Sequence, residues 1–212
     1  MSDVSFFPPV QKHGAPEDAD RDEPWMSSDW EGPDWHISPG LSPLSVVLGR
    51  STTTAVLIQG VRAYPAGLVL RLVVHLRERG REARRRVMTE LEVTHGRGQL
   101  NLFLPPGGLR WGVELADGQR VTTADDYTPW NARPDEWSAD WVPDRPVLIG
   151  LGRPTVWGGA WSRDVWLWPL PPPGPLRLVC AWPDRDIAEN STIVDAGPIR
   201  QAAEQATPLW DG

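Results

Sequence analysis

Residues 67–79 read GLVLRLVVHLRER, and apolar and polar side chains alternate along them. Successive side chains of a β-strand point to opposite faces, so a period of two is typical of a strand with one buried face. Leucine or valine stands at every second position from Leu68 to Leu76, whereas Arg71, His75 and Arg77 face the other way. The second face also holds Val69 and Val73, so we expect something to cover part of it.

Similar patterns flank this strand. AVLIQGVRAY (residues 55–64) predicts a preceding strand, joined through a Tyr64–Gly67 turn with proline in its second place. Asp117-Gly118 between alternating segments predicts a hairpin. Further strands are predicted over residues 86–94, 99–104, 147–151, 165–170 and 176–182. The last two are expected to form a wide hairpin around the stretch PPPG.

The C-terminal residues change to a helical period. Asp195 can cap a helix and Pro198 suits its first turn, while the apolar residues fall on one face. That face is formed by Ile199, Ala202, Ala203 and Ala206. We expect this short helix to bring Leu209 and Trp210 onto the core.

The composition supports a strand-rich fold. The 212 residues include 23 prolines and 20 glycines, too many for long helices and suited to short strands joined by turns. We therefore predict an all-β domain over residues 41–212, an antiparallel two-sheet sandwich of immunoglobulin-like or C2-like type with a short C-terminal helix. A closed barrel is the main alternative. The single cysteine, Cys180, rules out the paired cysteines of true immunoglobulin domains.

Residues 1–40 differ from the rest of the chain in charge. They hold nine acidic and two basic residues, whereas residues 41–212 hold nineteen of each. Their prolines and acids show no period, which predicts a largely disordered acidic arm. Trp25, Trp30 and Trp35 are costly to leave in water, so we expect part of the arm to dock on the domain or on a partner. The neutral body makes nucleic acid an unlikely partner.

The sequence predicts a cytoplasmic protein. The first residues lack a basic and then apolar signal, and no stretch approaches the roughly 20 apolar residues that a membrane span needs. A lone cysteine cannot form an internal disulfide. We therefore expect neither export nor a membrane partner.

The interval between residues 124 and 146 is rich in tryptophan and acid, and it is long for a connection. Its candidate binding residues are Trp130, Trp137, Trp141, Asp135, Glu136 and Asp140. We interpret them as a surface for another macromolecule, most simply another protein. The alternatives are a small-ligand or carbohydrate module, even a weak hydrolase, or tryptophans that plug the end of the sandwich. The acids do not match a calcium-binding loop, so no metal site is expected.

A run of arginines between Arg77 and Arg86 surrounds Gly80, which we expect at a hairpin tip. Its candidate anion contacts are Arg79, Arg81, Arg84 and Arg85. Guanidinium groups bind phosphate and carboxylate alike, so this tip could contact a phosphate, a nucleic acid or the acidic arm. The alternative is a solvated tip whose charges discourage edge pairing.

No set of residues predicts catalysis. The four histidines lack metal-ligand spacing, and Cys180 alternates with apolar residues, which indicates a small core residue. No serine-nucleophile or phosphate-loop motif is present. We therefore expect a non-enzymatic protein without catalytic residues or cofactors.

Three segments resemble a group of uncharacterised actinobacterial proteins. They are LRWGVELADGQR (109–120), WLWPLPPPGPLRLVCAW (166–182) and IVDAGPIRQAAEQATPLW (193–210). Together they cover about a fifth of the 212 residues. The resemblance implies a type of source and carries no activity, ligand or site residue.

Overall fold

A computed structural model describes residues 28–77, 80–95, 104–125 and 142–210. The first half contains β1 (Ile37–Ser38), β2 (Gly40–Arg50), β3 (Thr54–Ala63), β4 (Leu68–Leu76), α1 (Arg81–His95), β5 (Arg110–Glu114) and β6 (Arg120–Thr122). The second half contains β7 (Val147–Trp157), β8 (Ala160–Trp168), β9 (Pro175–Trp182), β10 (Ile187–Asp195), α2 (Gly197–Ala203) and β11 (Thr207–Pro208). A 3₁₀ turn, Pro183–Arg185, separates β9 from β10.

The strands form three antiparallel sheets. Five strands pair in the order β2-β3-β4-β8-β7, four in the order β10-β9-β5-β6, and β1 pairs with β11. The prediction of a mainly antiparallel β protein is therefore confirmed. Within the described ranges, neither helix is long and apolar enough to cross a membrane.

The two larger sheets share one core. A single cluster of buried side chains includes Leu70 and Leu72 from β4 together with Leu178, Cys180 and Trp182 from β9. The sheets also meet at their edges, where the Asn190 side-chain amide of β10 donates to the Leu48 carbonyl of β2 over 3.0 Å. Burying the apolar faces of both sheets is the main favourable contribution to folding.

Strand β4 confirms the alternation that predicted it. The side chains at Leu68, Leu70, Leu72, Val74 and Leu76 are buried in the shared core. The opposite face is covered in part, as expected, because Val69 packs in a second cluster with Tyr64 and Trp166. Arg71 and His75 on that face are exposed.

The predicted strand over residues 86–94 is wrong, because these residues belong to helix α1. Val87 and Leu91 fit a period of two and a helical period of four equally well. A strand would place Thr89 and Val93 on the same buried face as Val87 and Leu91. Thr89 and Val93 are both exposed, so the period is helical. The run REARRRVMTELE is made almost entirely of good helix formers. The hairpin tip expected around Gly80 is therefore also wrong, since α1 begins at Arg81.

The wide hairpin predicted around PPPG is also wrong. Strand β8 pairs with β4 and β7, whereas β9 pairs with β10 and β5, so the proline stretch connects two different sheets. Proline has no N–H to donate to a ladder, which explains why the chain leaves the first sheet there. Most of the strand predicted over residues 99–104 lies outside the described residues.

Two local predictions are confirmed. The Asp117-Gly118 turn joins β5 to β6, and Gly118 has a φ of 84°, which favours glycine. Helix α2 buries Ile199, Ala202 and Ala203. Its N-cap is Ala196 and not the predicted Asp195, whose Oδ1 accepts the Gly197 N–H over 3.0 Å. The expected burial of Leu209 and Trp210 is wrong, because both residues follow β11 directly and are exposed.

A buried arginine ties the end of α1 to the five-stranded sheet. Arg163 of β8 is 2 % exposed, and its guanidinium donates to the carbonyls of His95 and Gly152. A Cβ at Gly150 would collide with that guanidinium, so this position requires glycine. Arg163 thus satisfies a carbonyl at the C-terminus of α1, where a positive charge also suits the helix dipole.

His95 lies beside Arg163 and is fully buried. The Thr94 hydroxyl donates to the Glu90 carbonyl, so His95 Nδ1, 2.7 Å from Thr94 Oγ1, must carry the proton that joins the two side chains. Burial, assisted by the charge of Arg163, lowers the pKa of His95 from 6.5 to about 3. His95 is therefore neutral in the folded protein at neutral pH.

We predict that Arg163→Met destabilises the protein by about 1–3 kcal/mol, because the buried His95 carbonyl loses its donor and the Gly152 carbonyl loses a hydrogen bond from the same guanidinium. Urea denaturation measures the loss, and faster amide exchange along α1 locates it. Arg153→Met, which removes an exposed arginine of β7, is the matched control and should change stability by less than about 0.5 kcal/mol. Equal stabilities of the two variants would show that the anchor contributes nothing.

His95 makes stability depend on pH. Its folded-state pKa of about 3 lies below the unfolded value of 6.5, so the unfolded chain binds the additional proton between these values. The stability from neutral His95 is complete above pH 6.5 and declines by about 1.4 kcal/mol per pH unit as the pH falls toward 3. We expect His95→Leu to lack this slope between pH 6.5 and 4, and His75→Gln, which removes an exposed histidine, to keep it. Denaturation curves across this pH range that coincide for His95→Leu and wild type would refute the assignment.

Candidate functional site

All six predicted binding residues of the tryptophan-rich insert lie outside the described residues. One of the four arginines predicted to contact an anion also lies outside them. The seven residues are Trp130, Trp137, Trp141, Asp135, Glu136 and Asp140 in the insert, and Arg79 before α1. The proposed roles of these seven residues therefore stay predictions.

The other three arginines, Arg81, Arg84 and Arg85, lie at the beginning of α1. Arg84 Nη1 donates to the Gly158 carbonyl over 3.0 Å, which fixes the helix to the turn between β7 and β8. Arg81 and Arg85 are exposed in the same part of the helix. The structure thus places Arg84 beside the residue that follows Trp157, the last residue of β7.

Within the described ranges, the outer face of the five-stranded sheet is covered at one corner. Trp166 of β8 is fully buried there, packs edge-on against Tyr64 with ring centroids 5.7 Å apart, and donates its Nε1–H to the Asp29 carbonyl over 3.2 Å. Trp30 is 6 % exposed, so the segment before β1 lies against the domain. This segment accounts for the covered part of the face of β4.

The uncovered part of the same face forms a groove of two adjoining hollows. One hollow, of about 460 Å³, lies over β2, β3 and β4, and the other, of about 470 Å³, lies over β3, β4, β8 and the end of β7. Gln59 and Arg71 line both hollows and so join them. We call the two hollows together the diagonal groove.

The groove runs obliquely across the strands. It extends from Leu41 on β2 to Trp157 on β7. These residues are separated by four strand spacings of about 4.8 Å perpendicular to the strands and by about six residues parallel to them. These steps give a diagonal of about 27 Å, which an extended peptide of about eight residues would span. Leu41 is 71 % exposed and Trp157 is 83 % exposed, so a large apolar side chain stands at each end.

The floor of the groove is apolar between polar side chains. Val73 is buried, and its register partners are Leu57 on β3 and Ser162 on β8. Arg71 and His75 flank Val73 on β4, and Thr155 adds a hydroxyl from β7. Such a floor offers side chains a surface for packing and hydrogen bonding at the same time.

The charge of the groove is positive. Among the described residues that line the two hollows there is no carboxylate, whereas Arg62, Arg71 and His75 are present. Asp164 lies opposite Arg71 in the register, but its carboxylate pairs with Arg62 over 2.8 Å. Burial lowers the pKa of Arg62, but the hydrogen bond and charge of Asp164 outweigh this effect and raise it.

Arg71 itself has no carboxylate partner among the described residues. Its Nη2 donates to Ser162 Oγ over 3.5 Å, a long hydrogen bond that leaves most of the guanidinium to solvent. A guanidinium can bind a carboxylate through two parallel hydrogen bonds. Arg71 is therefore the group in the groove best suited to an acidic ligand.

Other reactive groups lie away from the groove. Cys180 is buried in the shared core, as predicted, and burial raises its pKa to about 12, so the thiol stays protonated. Burial and then the charge of Asp184 raise the pKa of Glu90 on α1. In the parts of the chain that the structure describes, no three His, Cys, Asp or Glu side chains are placed to hold a metal ion.

The sequence predicted the polar strand face on which the groove lies, but it did not predict a binding site there. The period of two placed Arg71 and His75 on the polar face of a strand. It gave no sign that Leu41 and Trp157 would lie on that same face, because strand order is needed to bring β2 and β7 into one sheet with β4. No protein-family model, no curated protein and no solved structure matches the chain.

Proposed function

We propose that this protein is a non-enzymatic interaction module that binds a partner protein by holding an extended acidic segment in the diagonal groove. The observation that carries the proposal is a groove whose described lining contains Arg71 and His75 but no carboxylate, between two exposed apolar side chains. The core shared by two antiparallel sheets supports the predicted sandwich, immunoglobulin-like or C2-like, as the rigid scaffold of this site.

The size of the groove favours a modest affinity. Burial of an apolar side chain against Trp157 and of another against Leu41 is worth about 1.5–3 kcal/mol each. A carboxylate on Arg71 adds about 1 kcal/mol, because the pair remains partly exposed to water. These gains total about 4–7 kcal/mol before the cost of association is subtracted, so we expect a Kd no tighter than about 10 µM.

The charge balance favours an acidic peptide over a nucleic acid. Nucleic-acid sites need a cluster of positive charge that neutralises several phosphates. The groove supplies few cations, one of which is already paired with Asp164, and the chain has a net charge of −7. Arg84, which donates to the Gly158 carbonyl, adds a positive charge at the Trp157 end, which suits a segment with several carboxylates.

The tryptophan-rich insert stays a predicted second contact surface for the same partner. Trp130, Trp137 and Trp141 precede Val142, five residues before β7 begins at Val147. The carbohydrate alternative depends on these tryptophans and on Asp135, Glu136 and Asp140, so it stays an expectation from the sequence.

Replacement of the central cation tests the proposed function. The probe is a fluorescein-labelled octapeptide with acidic residues between a terminal leucine and a terminal tryptophan, and its match carries lysines instead of the acids. We expect Arg71→Gln to weaken binding of the acidic probe by about 5- to 20-fold, measured by fluorescence anisotropy, because the probe loses a bidentate partner. Arg110→Gln, which removes an exposed arginine from the other large sheet, should leave the affinity unchanged.

Two outcomes would contradict the groove. The first is the same affinity for Arg71→Gln and Arg110→Gln. The second is tighter binding of a labelled single-stranded 20-nucleotide DNA than of the peptide, with a steep loss as salt increases, because that dependence indicates phosphate contacts.

The apolar end of the groove gives a separate prediction. We expect Trp157→Ser to weaken binding of the acidic probe by about 10-fold without loss of thermal stability, because the indole is exposed and packs only when the groove is occupied. Trp35→Ser is the matched control, since Trp35 is 71 % exposed outside the groove residues. An equal effect of both variants would place the aromatic contact elsewhere.

A further inference from the structure

The described chain begins on the same face of the sheet as the groove. The Asp29 carbonyl accepts the Trp166 Nε1–H. Trp166 lies on β8, two residues after Asp164. Asp164 pairs with Arg62, which lines the groove. Asp29 is therefore hydrogen-bonded to the side chain of a residue whose row is about 7 Å, the rise of two strand residues, from the row that contains Arg71.

The residues shortly before Asp29 have the composition that the groove suits. Residues 17–25 read EDADRDEPW, with five carboxylates, one arginine and a tryptophan. The groove offers the opposite charge, and its described lining contains no carboxylate. Charge and apolar character are thus complementary between this segment and the groove.

The connecting chain is long enough to join them. Glu23 is six residues from Asp29, and six extended residues span about 20 Å. The row of Arg71 and the row of His75 lie about 7 and 20 Å along the strands from that of Trp166. Acidic residues from Asp18 to Glu23 can therefore reach the rows of both Arg71 and His75.

We infer that residues 17–25 occupy the diagonal groove of their own chain and compete there with the partner segment. This inference rests on the proposed function, because it assigns a competing occupant to the same groove. A tethered segment acts at an effective concentration of about 1 mM. Against a Kd of about 100 µM, the tether would weaken an external peptide by about 10-fold.

A charge-neutral arm tests the inference. The full-length variant carries Glu17→Gln, Asp18→Asn, Asp20→Asn, Asp22→Asn and Glu23→Gln. We expect it to bind the labelled acidic octapeptide about 10-fold more tightly than the wild type does, by fluorescence anisotropy. When Arg71→Gln is added to both proteins, we expect the wild-type arm and the neutral arm to give the same affinity for the octapeptide. The arm and the octapeptide both bind the Arg71 guanidinium in this proposal.

A matched control separates occupancy from net charge. The control variant neutralises five exposed acids that lie away from the groove. Its substitutions are Asp117→Asn, Asp184→Asn, Asp186→Asn, Glu189→Gln and Glu204→Gln. This variant has the same net charge as the neutral-arm variant, so the inference requires its affinity to stay close to that of the wild type. A comparable gain in the control would overturn the arm's occupancy and assign the effect to long-range repulsion.

The remaining outcomes are distinct. Equal affinity of wild type and neutral-arm variant, with Arg71→Gln still weaker, overturns the arm and leaves the groove as the partner site. Failure of the octapeptide to bind any variant overturns both proposals. The neutral-arm variant could lose its gain in octapeptide affinity when the protein is diluted at constant probe concentration. That result would assign the arm to the groove of a second copy and overturn occupancy within one chain.

Discussion

Strand β4 imposes the constraint on which the architecture depends, because it lies at the centre of the five-stranded sheet and carries apolar side chains on both faces. Its inner face, from Leu68 to Leu76, must be removed from water, and the four-stranded sheet provides that cover in one shared core. Its outer face is apolar only in part. The segment before β1 covers the corner at Val69 through Trp166, and the cover ends where the polar side chains begin.

The groove is the consequence of this incomplete cover. Beyond Val69 the outer face carries Arg71 and His75, which have no need of burial, so the sheet remains accessible there. The pairing of Asp164 with Arg62 then removes the nearest carboxylate from Arg71. Helix α1 supports the far end, because one of its arginines holds the turn after Trp157 while a buried arginine of β8 holds its C-terminus. The proposed site thus lies on regular, mutually braced elements.

The errors of sequence reasoning have a common physical cause. In α1, Val87 and Leu91 are compatible with a strand and with a helix, and only the exposure of Thr89 and Val93 decides between them. Around PPPG, proximity along the chain suggested pairing, but the prolines lack ladder donors and let the chain cross to the other sheet. Both errors arise where local pattern is ambiguous and packing against distant residues makes the choice.

The amino-acid sequence alone determined the antiparallel β class, the strand of residues 68–76, the Asp117-Gly118 hairpin and the C-terminal helix, because side-chain period and turn chemistry are local properties. It also placed Arg71 and His75 on a polar strand face. Tertiary structure alone decided that Leu41 and Trp157 share this face, and that Asp164 pairs with Arg62. Strand order and charge pairing join residues far apart in the chain, and no local period encodes them.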